Sequence, residues 1–121
     1  MSAATWIAVA LVGGLAALLR FGLDAAVSER FAGALPAGTL AVNLSGAVVL
    51  GLVAGAALHG AALTIVAGGG LGSYTTFSTW MFESQRLGEA GAARAAWLNI
   101  ALSLAAGLLA VSLGHWLGAA L

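Results

Sequence analysis

The stretch Gly68-Gly69-Gly70-Leu71-Gly72-Ser73-Tyr74-Thr75-Thr76-Phe77-Ser78-Thr79-Trp80 decides how this chain folds. It begins inside a run that is otherwise apolar enough to cross a bilayer. Four glycines in five positions weaken a helix by about 1 kcal/mol each relative to Ala. Hydroxyl and aromatic residues follow before the chain turns apolar again. Hydrocarbon offers no partner to free backbone N–H and C=O groups, so irregular backbone at that depth is held within protein or lines a watery cavity. The stretch therefore predicts a helix interrupted inside the membrane at the glycines. Freed carbonyls and half-helix ends at such interruptions can hold ions.

Composition points the same way. Of the 121 residues, 62% are hydrophobic and 7% charged, where a water-soluble surface wants roughly a quarter or more of its positions charged. Net charge is zero and no Lys occurs, which argues against nucleic acid or an anionic membrane surface as partner. The absence of Cys removes disulfides and thiolate metal sites. His59 and His115 stand alone. The apolar N-terminal run lacks a basic n-region and is long enough to span, so it reads as a retained helix.

Taking about 20 apolar residues per span, the chain divides into four, at about 5–23, 37–58, 61–82 and 95–117. This is an all-α membrane domain with a broken third helix and both termini on one side. Pro36 suits the start of the second span. His59-Gly60 is a short turn, so spans two and three should be antiparallel neighbours. Asp24 falls beyond the first span in this division, and Glu83 to Arg94 reads as a helix end and loop. Arg30, Arg86 and Arg94 share one side, which the positive-inside rule places in the cytoplasm. Glycine pairs spaced by four (51/55, 68/72, 114/118) should let helix backbones approach closely. Four thin helices enclose little volume, so a homo-oligomer, most simply a dimer, is the natural way to surround a pathway.

The polar residues in the spans each carry two readings. Asn43 is interhelical glue with Ser45 or an N–H donor to an anion, since an amide in lipid needs a partner. Arg20 snorkels beside Asp24 or gathers anions at a pore mouth. Phe77 and Trp80 share a helix face, as core packing or as ring edges turned toward a small anion. Ser103 lies on one stripe with Asn99 and Gly107, bonded to its own helix or facing a pore. Glu83 is a solvated helix-end carboxylate or pairs with Arg86. No spacing suggests a nucleophile with its base, a phosphate loop or paired catalytic carboxylates, so no enzyme is expected.

The segment Gly68–Trp80 resembles the signature of the CrcB/Fluc fluoride channel family, a glycine-rich break followed by Thr-Thr-Phe-Ser-Thr and an aromatic. Gly13-Gly14, Ala17 and Arg20-Phe21 resemble its first-helix motif. Gly38-Thr39-Leu40-Ala41-Val42-Asn43 with Gly46 resembles its second. The Ser103 region with Gly107 and Gly114 is similar to its fourth. The resemblance covers essentially the whole chain.

The resemblance implies an antiparallel, dual-topology homodimer in a bacterial inner (plasma) membrane, with two fluoride pores. It implies a structural Na+ on the twofold axis, held by the backbone carbonyls of Gly72 and Thr75 from both subunits. By position it places the fluoride pathway on Asn43, Phe77, Trp80, Ser103, Thr76, Thr79 and Arg20, with Asn99 and Gly107 in the fourth-helix track. This chain departs from the pattern at Trp80, usually Phe, at Asn99, usually Tyr, and at Gly107 and Ala17. The implied function is passive fluoride export: HF enters acidified cells, dissociates, and fluoride leaves. Moving a strongly hydrated anion requires donors that bind firmly enough to replace water and loosely enough to release. A proton-coupled small multidrug exporter is the alternative of similar size, but it needs an embedded carboxylate, typically in the first helix. A non-transporting scaffold would gain nothing from a broken helix.

Overall fold

The computed structural model describes residues 1–121 and is helical almost throughout. Helix α1 runs Ala3–Arg30, capped by Ser2, whose Oγ accepts the Thr5 N–H at 3.2 Å. It continues well past Leu23 because nothing between Asp24 and Arg30 breaks a helix. Ser28 instead donates to Asp24 Oδ1 at 3.1 Å along its last turns. Asp24 therefore belongs to the first helix and not to a loop. Helix α2 spans Ala37–Gly55 directly after Pro36. It stops three residues short of the expected Leu58 in a left-handed cap, with Ala57 at φ 54° and Leu58 N–H donating to Val53 O at 3.1 Å.

The third span is discontinuous, and the interruption does not fall on the glycines. A single turn, α3 (Gly60–Leu63), widens into a π-helical segment, Thr64–Leu71, then tightens into the short α4 (Gly72–Tyr74). Helical geometry is lost only at Thr75 (ψ 157°) and Thr76 (φ −144°, ψ 118°). The glycines loosen the coil, as π segments at functional sites do, and the two threonines interrupt it. Helix α5 (Phe77–Glu89) follows, so of the stretch Glu83–Arg94, expected as a helix end and loop, only 90–92 is loop. It ends at Gly91 (φ 81°), where the Ala92 N–H donates to Leu87 O at 2.9 Å. Helix α6 (Ala93–Ala119) closes the bundle.

Three helices, α1, α2 and α6, are each long and apolar enough to cross a membrane alone. The broken span makes the fourth crossing. Packing rests on small residues. A Cβ on Gly51 or Gly55 would lie 2.1 or 2.2 Å from the Val111 or His115 carbonyl oxygen. Reciprocally, a Cβ on Gly114 or Gly118 would lie 2.0 or 2.3 Å from the Val48 or Leu52 oxygen. The two glycine pairs thus face each other, and α2 and α6 meet backbone to backbone. Gly69 crosses α1 similarly, with its Cβ position 2.9 Å from Val9 O. The pair 68/72 behaves differently: Gly68 meets nothing within 4 Å and Gly72 meets only Ala67 O, at 3.7 Å.

The interior is small and the exterior greasy. Buried apolar residues are Ala16, Val42 and Ala96, while Leu18, Phe21, Leu109 and Trp116 stand outside at 70–76% exposure. In water this arrangement would leave most of the apolar surface wet. In lipid it needs no further covering, because association there depends on close packing and hydrogen bonds.

Candidate functional site

The interruption is fixed from α2. Asn43 Nδ2 donates to the Thr76 carbonyl at 2.9 Å, and its Oδ1 accepts the Thr76 N–H at 2.8 Å. An amide side chain presents a donor and an acceptor side by side, as a peptide edge does, so one residue pairs the Thr76 N–H that the missing turn leaves free and adds a bond to the Thr76 carbonyl. One Nδ2 hydrogen remains uncommitted. Ser45 looks elsewhere, bonding the Tyr74 hydroxyl at 2.8 Å. Thr76 then starts α5, its Oγ1 accepting the Thr79 N–H at 3.1 Å.

These bonds divert two N–H groups. In a continuous helix the Thr76 N–H would close on the Gly72 carbonyl and the Thr79 N–H on the Thr75 carbonyl. Asn43 Oδ1 and Thr76 Oγ1 take them instead. The Gly72 and Thr75 carbonyls therefore lose their regular helical partners, beside an open groove that both residues line. Oxygen donors of this kind suit a hard cation, so these residues are chemically compatible with the ligand set that the resemblance implies.

Two cavities flank the Asn43–Thr76 bridge, and Thr76 lines both. One is a groove of about 420 Å³ walled by Asn43, Gly46, Leu50, Gly72, Phe77 and Trp80. Phe77 is 70% exposed on this face. Its ring meets the Trp80 indole edge to face, with centroids 5.6 Å apart and planes at 84°. The other cavity, about 160 Å³, is lined by Arg20, Asp24, Thr39, Thr76 and Thr79 among others. Arg20 Nε is buried there without a hydrogen-bond partner, which leaves a guanidinium donor unspent at a polar pocket.

Six of the seven expected pathway residues thus gather around one bridge: Arg20, Asn43, Thr76, Phe77, Thr79 and Trp80. Ser103 does not join them. It is half-buried on α6 and lines neither cavity. Asn99, from the same stripe, is 2% exposed and turns its amide to Ser84 at 2.9 Å.

Glu83 differs from both of its sequence readings. It is half-buried, and Thr39 Oγ1 donates to its Oε1, while Arg86 lies over the Phe82 ring at 5.8 Å. The spacing Thr76, Thr79, Glu83 places all three on one face of a helix. That signal was present in the sequence once α5 is continued past Phe82.

A family model described as CrcB-like protein, Camphor Resistance (CrcB), matches residues 7–115. The chain is 47% identical over 117 residues to Fluoride-specific ion channel FluC 2 of Mycobacterium tuberculosis, covering 97% of this chain and 93% of that one. It is 46% identical over 107 residues to FluC 1 of Rubrobacter xylanophilus, covering 88% and 86%. With FluC 1 of Streptomyces avermitilis it shares 42% over 120 residues, covering 96% and 97%.

Proposed function

The chain belongs to the CrcB family, and from that membership we propose that it is a fluoride-specific ion channel that lets fluoride leave the bacterial cell passively across the inner membrane. The observation that carries the proposal is the Asn43–Thr76 bridge, with a polar pocket holding Arg20 and Asp24 on one side and an aromatic groove on the other.

The physical task is to strip a small, strongly hydrated anion of water without trapping it. Arg20 raises the local anion concentration at the mouth, since its charge acts from a partly low-dielectric wall. The Thr79 hydroxyl, which accepts from Thr76 and keeps its own hydrogen, and the free Nδ2 hydrogen of Asn43 then replace water with neutral donors, while Thr76 lines both cavities. The ring edges of Phe77 and Trp80 carry partial positive charge and continue the path with no fixed charge to hold the ion. Loose, repeated sites allow exit as well as capture. The reading involves passage and no bond-making, so the protein is a channel and not an enzyme.

A single chain leaves the Phe77–Trp80 groove open along one side. A second copy, antiparallel and in dual topology, closes it in this proposal. Gly68 and Gly72, which have almost no neighbour in their own subunit, allow that close approach. Gly72 and Thr75 carbonyls from both copies would hold one Na+ at the meeting point. The ion would neutralise facing carbonyl dipoles and tie the two interruptions together.

Fluoride efflux from proteoliposomes, followed with a fluoride electrode against chloride, tests the function. Selective fluoride release is expected. Normal release by Asn43→Asp together with Phe77→Ile would remove the pathway assignment. PH-driven drug uptake without fluoride flux would favour an exporter instead.

A further inference from the structure

Trp80 is tied to α6 directly at its indole and, through Ser84 of its own helix, indirectly at its main chain. Its indole Nε1–H donates to the Asn99 carbonyl at 3.4 Å. Asn99 Nδ2 donates to Ser84 Oγ at 2.9 Å, and Ser84 Oγ donates to the Trp80 carbonyl at 2.8 Å. The three bonds close a ring that runs Trp80 side chain, Asn99 main chain, Asn99 side chain, Ser84, Trp80 main chain. Asn99 and Ser84 are 2% and 4% exposed, so the ring is dry apart from the indole.

We propose that Asn99 and Ser84 are positioning residues that fix the rotamer of Trp80, and through it the edge-to-face pair with Phe77, at the aromatic wall of the groove. A rotamer that swings the indole from α6 gives up the Asn99 carbonyl and turns its N–H into the groove, where it would become one more donor on the anion route. Asn99 acts twice. Its main chain receives the indole, and its amide locks α6 in register with α5 through Ser84, so that the receiving carbonyl stays where the indole can reach it. A phenylalanine at position 80 would have no donor to anchor and would not need the ring. The tryptophan does, and it sits beside the Phe77 ring that faces the anion route. This inference rests on the channel reading for its consequence, but the clamp itself does not.

Two measurements on the full chain separate these. In proteoliposomes, N99L is expected to lower fluoride efflux about tenfold and to erode discrimination against chloride, a coupling of ordinary size for residues in one network. Ser84→Ala should do the same, and Ser84→Thr, which keeps the hydroxyl, should restore it. In a W80F background N99L should change efflux less than about twofold, since the clamped donor is gone. Equal losses with and without Trp80 would mean that Asn99 merely packs the helices, and would overturn the proposal. The second measurement uses a chain in which lipid-facing Trp6, Trp97 and Trp116 are replaced by Phe, leaving Trp80 as the sole tryptophan, excited at the red edge where Tyr74 does not absorb. N99L and S84A should each speed its anisotropy decay, with the detergent-solubilised size unchanged. An unaltered decay in both variants would sink the clamp. Faster decay in a chain that passes no fluoride would support the clamp and overturn the channel reading.

Discussion

Asn43 on α2 grips the peptide of Thr76 by both edges, at 2.9 and 2.8 Å, and so replaces the turn of helix that the third span lacks. Asn43→Ala leaves the part-buried Thr76 N–H without its partner, a loss of about 1–3 kcal/mol at most. Asn43→Asp keeps the acceptor for the Thr76 N–H but sets a carboxylate oxygen against the Thr76 carbonyl. Both variants are expected to melt earlier in detergent and to lose fluoride efflux. Unchanged melting in either would show that the bridge does not hold the interruption.

The α2–α6 contact has no room for a methyl group. Gly114→Ala places a carbon 2.0 Å from Val48 O unless the helices part, and such overpacking is expected to destabilise by about 1–3 kcal/mol. Gly22, with nothing within 4 Å, serves as the control, since Ala there should leave stability equal or slightly raised. Denaturant or thermal unfolding of the two variants in one detergent makes the comparison.

Ala57 carries a left-handed φ of 54° at the cap of α2. That conformation costs an L side chain about 1–2 kcal/mol, and glycine is the usual occupant of this position. Ala57→Gly should therefore raise the melting temperature without altering efflux. A lower melting temperature would mean that the Cβ makes a contact worth more than the strain.

Arg20 lines the polar pocket, with its Nε buried and without a hydrogen-bond partner. Arg20→Gln removes the charge while keeping a donor, so efflux should fall several-fold at low ionic strength. The deficit should narrow as salt is raised, because screening acts within about 10 Å at 0.1 M. A deficit independent of salt would assign Arg20 a structural part instead.

The carbonyls of Gly72 and Thr75, deprived of their regular helical partners, should depend on a cation. Purification with N-methylglucamine in place of Na+ is expected to lower thermal stability and efflux together, with recovery on adding Na+. Identical behaviour in both buffers would remove the ion from the account.

Local chemistry made much of this legible early. The run of glycines before Ser73–Thr76 announces a loosened helix wherever it lies. Asn43 and Arg20 announce themselves because lipid tolerates neither without a purpose. Phe77 and Trp80 share a face by spacing alone. Less was visible where one helix chooses a residue on another. Glu83 was assigned to solvent or Arg86, yet it receives the Thr39 hydroxyl 44 positions away. Asn99 was read on one stripe with Ser103 and Gly107, and which partner its amide takes, Ser84, was not visible there. Crossing angle and register decide such partners, and neither is written in the period of one helix.

The chain by itself determined that this is a lipid-embedded bundle of four crossings, one of them interrupted near residues 68–76, because composition and hydrophobic length admit no soluble alternative. The fold decided that the coil fails at Thr75–Thr76 and not at the glycines, since Asn43 reaches that peptide from α2 and can satisfy it there. It also decided that the pairs 51/55 and 114/118 meet each other while 68/72 stays uncovered in the subunit. The physical reason is the same in both cases: in hydrocarbon a free polar group or an empty surface takes its meaning from whichever backbone comes within reach, and only the packed molecule says which one does.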